Sequence, residues 1–254
     1  TGATSGIGEA LAYEFAALNA KLVLSSNQFD ELERVKNECL KNCEKCISIG
    51  FDLENEQEIK DSVAKVVNEF NQIDVLINNG GISQRSLIIE TPLEVDRKIM
   101  NIDYYGAVIL TKNVLPVMIK NNGGNIMVTT SIAGKFGFPL RSAYSAAKHA
   151  LYGFFETLRA EHIKDNIKVT IACPGRVQTN ISKHALTKEG KEHGVMDKGL
   201  AGGITAEKCA RIMRKAIQKN KREVLIGGKE LLMVYIKKFI PGLFYKIIPK
   251  IDPT

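Results

Sequence analysis

Apolar residues along the chain fall into two alternating patterns. Short runs rich in Val, Ile and Leu stand at 21–25, 47–51, 74–77, 125–130, 168–172 and 223–226. Such near-continuous apolar runs suit strands buried on both faces. Between them lie longer stretches with apolar residues at helical spacing, over 9–18, 30–40, 56–70, 93–120, 141–164 and 206–219. Strand–helix alternation of this kind predicts an α/β fold, a doubly wound parallel sheet with helices on both faces. No Pro- or Ser-rich linker, repeat or low-complexity block divides the chain, and 254 residues with 44% hydrophobic content suffice for one core. Residues 1–228 read as a single domain, and 229–254 as its apolar and basic tail.

The opening segment, Thr1-Gly2-Ala3-Thr4-Ser5-Gly6-Ile7-Gly8, runs directly into the first helix. Glycines let a backbone approach a pyrophosphate, and the helix N-terminus supplies N–H groups and positive potential. In a doubly wound sheet such a turn follows a central strand, whereas this sequence starts at the turn. The pattern therefore predicts a slot between strands 21–25 and 74–77, unfilled or filled by a foreign segment. It also predicts an apolar strand of about five or six residues upstream in the natural product, and an unfolded or aggregated 254-residue piece.

Tyr144 and Lys148 are four apart in Ala-Tyr-Ser-Ala-Ala-Lys, so a helix presents both on one face. A fixed cation favours the phenolate form of a nearby tyrosine and brings it into range for proton transfer. Ser131 closes the apolar run that begins at Asn125, where a strand would deliver a hydroxyl to its C-terminal edge. A Tyr-x-x-x-Lys match alone also describes an exposed helix with a solvated lysine; the glycine turn and Ser131, in this order, decide against that.

With these residues in place the chain resembles the short-chain dehydrogenase/reductase family over nearly its whole length. The family's Thr-Gly-x-x-x-Gly-Ile-Gly stands at Thr1 to Gly8, and Asp52 in Phe51-Asp52-Leu53 is similar to its adenine-contacting acid. Asn78-Asn79-Gly80-Gly81 is similar to its Asn-Asn-Ala-Gly, Met100-Asn101-Ile102 to its helix asparagine, and Pro174-Gly175-Arg176-Val177-Gln178-Thr179 to its Pro-Gly-x-Val-x-Thr. The segment 78–87 and the late segment 234–244 resemble the branch that holds dehydrogenase/reductase member 7 and its B paralogue.

The resemblance implies a Rossmann-type fold and hydride transfer between a nicotinamide and a carbonyl or alcohol carbon. Tyr144 would act as general acid/base, Ser131 would hold the substrate oxygen, and Lys148 would bond the nicotinamide ribose. Asn101 would fix a proton-relaying water, or else bond nearby backbone as an ordinary helix residue. The dinucleotide would lie on Gly2, Thr4, Ser5, Gly6, Ile7, Gly8, Ser26, Asn27, Asp52, Leu53, Asn79, Gly80, Gly81, Tyr144, Lys148, Pro174, Gly175, Val177 and Thr179. Thr179 would bond the carboxamide, cap a helix, or do both.

The end of the second strand separates the two cofactors. An acid there binds ribose hydroxyls in NAD enzymes, and an arginine binds the 2′-phosphate in NADP enzymes. Ser26 and Asn27 fill those places. With no carboxylate to repel a phosphate and two hydrogen-bonding side chains, NADP is the expected cofactor, with NAD the alternative. Segment 181–204 is expected to cover the site as a lid, and its Ala185, Leu186, Val195 and Met196 suit a lipophilic substrate, steroid-, retinoid- or lipid-like. Two other classes share the fold: a dinucleotide-binding regulator or scaffold without turnover, and an epimerase or dehydratase. The intact Ser131, Tyr144 and Lys148 weigh against the first. Epimerase relatives retain Tyr-x-x-x-Lys but normally extend into a separate sugar-nucleotide domain.

The net charge of +7 is spread over helix faces, without the interleaved aromatics of a nucleic-acid groove, so no nucleic-acid partner is expected. Cys39, Cys43 and Cys46 have an iron–sulfur spacing, C-x3-C-x2-C, but end a charged helix instead of following a barrel strand; they read as chance placement on a surface turn. No metal site is expected from the four histidines either. Five cysteines without framework spacing suit a reducing, intracellular and cytoplasmic setting. The tail 231–248 is broken by Lys237, Lys238 and Pro241-Gly242 and falls short of a spanning helix. It either rests in one leaflet with its lysines at the headgroups, giving peripheral membrane association, or packs on the core or a dimer interface. A homodimer or homotetramer is the expected assembly.

Overall fold

The predicted alternation is present, with small shifts at element ends. A computed structural model describes residues 1–251, so the last three residues of the tail segment lie outside the described region. Helix α1 (Gly6–Ala16) leads to β1 (Leu22–Ser26), α2 (Phe29–Cys39), β2 (Cys46–Gly50), α3 (Glu56–Phe70) and β3 (Val75–Asn78). Then follow α4 (Leu93–Met100), α5 (Gly106–Lys120), β4 (Gly124–Thr129), α6 (Ser142–Glu161) and β5 (Ile167–Pro174). A short α7 (Lys198–Ala201), α8 (Ala206–Gln218), β6 (Glu223–Ile226), α9 (Leu232–Phe239) and α10 (Pro241–Ile247) complete the order.

All strand pairs are parallel: β3-β4-β5-β6 form one sheet, and β1-β2 pair separately. The alternation of β4 divides the core. Ile126 and Val128 face α3, α5 and α6, packing with Ile59, Met118, Leu151 and Phe155. Met127 faces the other way, onto α1 and α8 with Leu11, Cys209 and Met213. Helices on both faces follow directly from strands apolar on both faces.

The expected slot between β1 and β3 is there. A cavity of about 760 Å³ is lined by 22–25 on one side and 73–77 on the other, and α1 and α5 also border it. At its upper end the first residues bridge the two halves: the Thr1 nitrogen donates to the Ile77 carbonyl (3.0 Å) and the Ala3 amide to that of Ser25 (3.2 Å).

Two readings of local structure need correction. The helix over 93–120 is interrupted by a five-residue π-turn, Asn101–Tyr105, between α4 and α5. The cysteines 39, 43 and 46 are not on a surface turn: each is at most 8% exposed, packed with Leu24, Leu32 and Val35 beneath α1. The charges that flank them belong to the outer face of α2, whose inner face is apolar. Among the described residues no helix is long and apolar enough to cross a membrane.

Candidate active site

The C-terminal ends of β1, β3, β4 and β5 open onto one cavity of about 630 Å³. Its floor at one end is the glycine turn. Gly2 and Gly6 adopt φ of +62° and +55°, in the left-handed region that favours glycine. A Cβ on Gly8 would stand 2.0 Å from the Gly2 carbonyl oxygen, and one on Gly6 would stand 2.9 Å from Thr179 Cγ2. The turn is held from β3: the Thr1 hydroxyl accepts from the amides of Asn79 and Gly80 (2.9 Å each), and Asn79 Nδ2 donates to the Thr1 carbonyl (3.2 Å). Ser5 at the start of α1 makes no side-chain cap, so the first N–H groups of the helix face the cavity for an anion.

Thr4, Ser5, Ile7, Ser26, Asn27, Asp52, Leu53, Asn79, Gly80, Gly81, Pro174, Gly175, Val177 and Thr179 also line the cavity. Gly8 sits behind the turn, where its missing side chain allows the Gly2 approach. Beside the turn, Thr4 Oγ1 donates to Gln28 Oε1 at 3.0 Å, and Ser26 Oγ accepts the Gln28 amide at 3.3 Å. Thr179 precedes a short 3-10 turn with extended backbone, yet its hydroxyl caps nothing there. Its oxygen is therefore available to a ligand. A glycine cradle, free helix N–H groups and an uncommitted threonine at the far end together fit a dinucleotide.

At that far end Ser131 follows β4 instead of ending it, with Oγ accepting the Ala133 amide at 3.2 Å. Tyr144 and Lys148 come from successive turns of α6, 8% and 4% exposed. Lys148 Nζ lies 5.5 Å from the centre of the Tyr144 ring and donates to the Thr129 carbonyl at 3.3 Å. All three side chains line the same cavity. Burial pulls the Lys148 pKa down, but the Asp103 carboxylate and the Tyr144 phenol outweigh it, and the ammonium is held above its ordinary range.

Asn101 is not brought to this site. It is exposed, because the inward face of α4 carries Val95 and Ile99, and a residue two positions beyond Ile99 falls on the opposite side. Asp103, two positions on, points inward and ion-pairs with Lys148 at 3.0 Å. An acid inside the apolar stretch 99–110 was the available signal.

Sequence reasoning also missed a buried ion cluster. Asp197, in the segment expected to form a lid, receives Arg85 through Nε (3.2 Å) and Nη2, and Arg141 Nη2 at 2.8 Å. Burial and the neighbouring Arg85 bring the Arg141 pKa down to about 10, against the pull of Asp197. The cluster lines the cavity and, with the Leu186 carbonyl accepting the Arg85 amide (2.8 Å), ties the segment to the loop after β3. Arg85 falls inside segment 78–87, where no local pattern marks Asp197 as its partner.

Fold and motif order define the class: the chain belongs to the short-chain dehydrogenase/reductase family, whose "short chain dehydrogenase" profile matches residues 1–190. It is an oxidoreductase of the kind that interconverts CH–OH and C=O groups. Among its relatives, dehydrogenase/reductase SDR family member 7B of Mus musculus is 42% identical over 253 residues, spanning 98% of this chain and 78% of that protein. Member 7 of Homo sapiens is 41% identical over 247 residues, 95% of this chain and 73% of that protein. A crystal structure of a short-chain dehydrogenase/reductase from Burkholderia phymatum in complex with NAD superposes with a TM-score of 0.85 at 21% identity, covering 100% of this chain and 94% of that one. An alcohol dehydrogenase from Thermococcus sibiricus complexed with 5-hydroxy-NADP gives 0.77, also at 21% identity, over 90% and 94%. These two establish a shared fold.

Proposed function

We propose that the chain is an NADP-dependent oxidoreductase acting on a lipophilic carbonyl compound or secondary alcohol. The observation that carries this reading is the meeting of Ser131, Tyr144 and Lys148 in the cavity whose other end is the glycine cradle. A nicotinamide held by the glycine cradle would supply or accept the hydride. Tyr144 carries the proton to or from the substrate oxygen, Ser131 donates a hydrogen bond to that oxygen, and Lys148 keeps a positive charge beside the phenol. The walls near these residues include Ile82, Ile132, Phe138, Ile181, Leu200 and Met233, which favour a lipophilic substrate of the steroid, retinoid or lipid kind.

NADP is favoured because Ser26, Asn27 and Gln28 put no carboxylate at the ribose end. The test is a panel of carbonyls and alcohols assayed with NADPH, NADH and their oxidised forms. In the same panel Ser26→Asp should move the NADPH:NADH preference by about tenfold or more toward NADH, since one unit charge at close range outweighs about 1.4 kcal/mol. Faster turnover with NADH than NADPH by the unmodified enzyme, at equal low concentration, would refute the assignment.

The tail supports a peripheral membrane contact. Phe244 joins a buried cluster with Ile132, Phe136 and Cys173, and Met233, Val234 and Ile236 pack against that cluster, so part of the tail does join the core. Its outer face keeps Leu232, Tyr235, Phe239, Ile240 and Tyr245 at least half exposed, with Lys238, Lys246 and Lys250 among them. Met233, Lys229 and Ile251 of the same segment border the cavity, so the face would dock where a lipophilic substrate enters. The unmodified protein should float with phosphatidylserine vesicles, and Tyr235→Asp/Phe239→Asp should lower the bound fraction several-fold. Equal flotation of the two proteins contradicts the contact. Exposed Leu87, Ile88, Ile89 and Leu93 around α4 fit an assembly into a homodimer or homotetramer, and five free, buried cysteines fit a reducing compartment.

A further inference from the structure

Asp103 sits in the π-turn between α4 and α5 with its side chain fully removed from solvent. Oδ1 accepts the Ile82 amide at 2.7 Å, and Oδ2 stands 3.0 Å from the Lys148 ammonium. That approach is charge to charge, off the direction of a good hydrogen bond, and no other donor among the described residues reaches Oδ2. Gly81 packs against the same carboxylate: a Cβ there would meet Oδ1 at 3.0 Å. Lys148 lines the cavity and Asp103 does not.

A fully buried ammonium tends to lose its proton unless an opposite charge lies within a few ångströms. Asp103 is the carboxylate that meets this need, and the Thr129 carbonyl fixes the other side of the ammonium. A π-turn is an uncommon interruption that costs regular helix hydrogen bonds and often marks a functional site. Here Asp103 lies inside the turn on the inward face that Ile99, four residues earlier, also occupies.

We infer that Asp103 is a positioning residue, the counter-ion that keeps Lys148 charged and in place beside Tyr144. It touches neither substrate nor cofactor and acts through the lysine. The kinetic consequence rests on the function proposed above; the stability consequence does not.

The sign of the pH effect follows from the lysine. In the unmodified protein its pKa lies above the unfolded value, so its contribution to stability is complete below that value and is lost only as pH rises through the folded one. In Asp103→Asn only the Tyr144 phenol still opposes burial, and the folded value falls below the unfolded one. That variant therefore gains stability as pH rises from its lowered lysine pKa toward about 10.4. Thermal melts of both proteins without cofactor, from neutral pH to about pH 10, should show the Tm gap between them narrowing steadily. In turnover assays the alkaline limb of kcat should move down by at least about one pH unit in Asp103→Asn.

A pH-independent Tm gap with superimposable kcat profiles would overturn the assignment, since that is the behaviour of a residue that merely accepts the Ile82 amide. Should Asp103→Asn fail to fold, Asp103→Asn/Lys148→Met should fold, because removing both partners leaves no unpaired buried charge. Loss of folding in the double variant as well would count against the pairing. A narrowing gap in an enzyme that turns over no carbonyl or alcohol would uphold Asp103 and refute the proposed function instead.

Discussion

Replacing Tyr144 with phenylalanine is expected to lower kcat by about a thousandfold while leaving NADPH affinity within roughly twofold of the unmodified value. A positioned proton carrier is worth roughly 10²–10⁴ in rate, and the phenol is the group in the cavity best placed to exchange a proton with a substrate oxygen. The substitution removes one oxygen from a side chain 8% exposed and otherwise packed with Val95, Ile99 and Ala147, so the ring and α6 should stay in place. Lys148 then keeps Asp103 and the Thr129 carbonyl as partners. Steady-state kinetics on a carbonyl substrate and fluorescence titration with NADPH read the two quantities separately. Equal turnover would remove Tyr144 from the mechanism. Parallel loss of turnover and cofactor binding would make the tyrosine a binding residue.

What the sequence disclosed and what it hid divide along a physical line. Strands apolar on both faces and helices apolar on one are local patterns, so the doubly wound sheet and its element order were legible from the chain. The glycine turn, Ser131, Tyr144 and Lys148 were legible for the same reason, since each rests on a spacing inside one element or at its end. Asn101 and Asp103 were not, because the choice between them depends on helix phase. The motif match at Met100-Asn101-Ile102 points to Asn101, whereas the inward face of α4, marked by Val95 and Ile99, continues to Asp103. The ion cluster escaped because Arg85 and Asp197 are 112 positions apart and meet only when the segment after β5 folds back over the loop after β3. The cysteines misled for a related reason: the charges around Cys39 lie on the opposite face of α2 from the thiol. Interactions set by phase and by tertiary return are the ones a linear reading loses.

Introducing one methyl group at Gly8 should remove dinucleotide binding and also destabilise the fold. Glycine within a helix normally costs about 0.5–1 kcal/mol relative to alanine, so Gly8→Ala would stabilise α1 if helix propensity were all that mattered. The sign is reversed here, because the new Cβ would lie 2.0 Å from the Gly2 carbonyl oxygen and 2.7 Å from Asn79 Nδ2. Neither neighbour can swing aside cheaply. Gly2 is backbone at a positive φ, and Asn79 is bonded to the Thr1 carbonyl and receives the Thr129 hydroxyl. Forcing such a contact costs about 1–3 kcal/mol, which in a chain of this size lowers Tm by roughly 2–12 °C. Relief of the clash must move the turn 2–6 away from α1, and that turn is the surface meant to meet the pyrophosphate. Calorimetric titration with NADPH should therefore show affinity reduced by about a hundredfold or more, with a lowered melting temperature in the same preparation. Gly137→Ala is the matched control, since a Cβ there meets nothing within 4 Å, and both quantities should stay at the unmodified values. Tight NADPH binding by Gly8→Ala with an unchanged Tm would mean that the close approach of Gly2 to Gly8 is not what shapes the cofactor cradle.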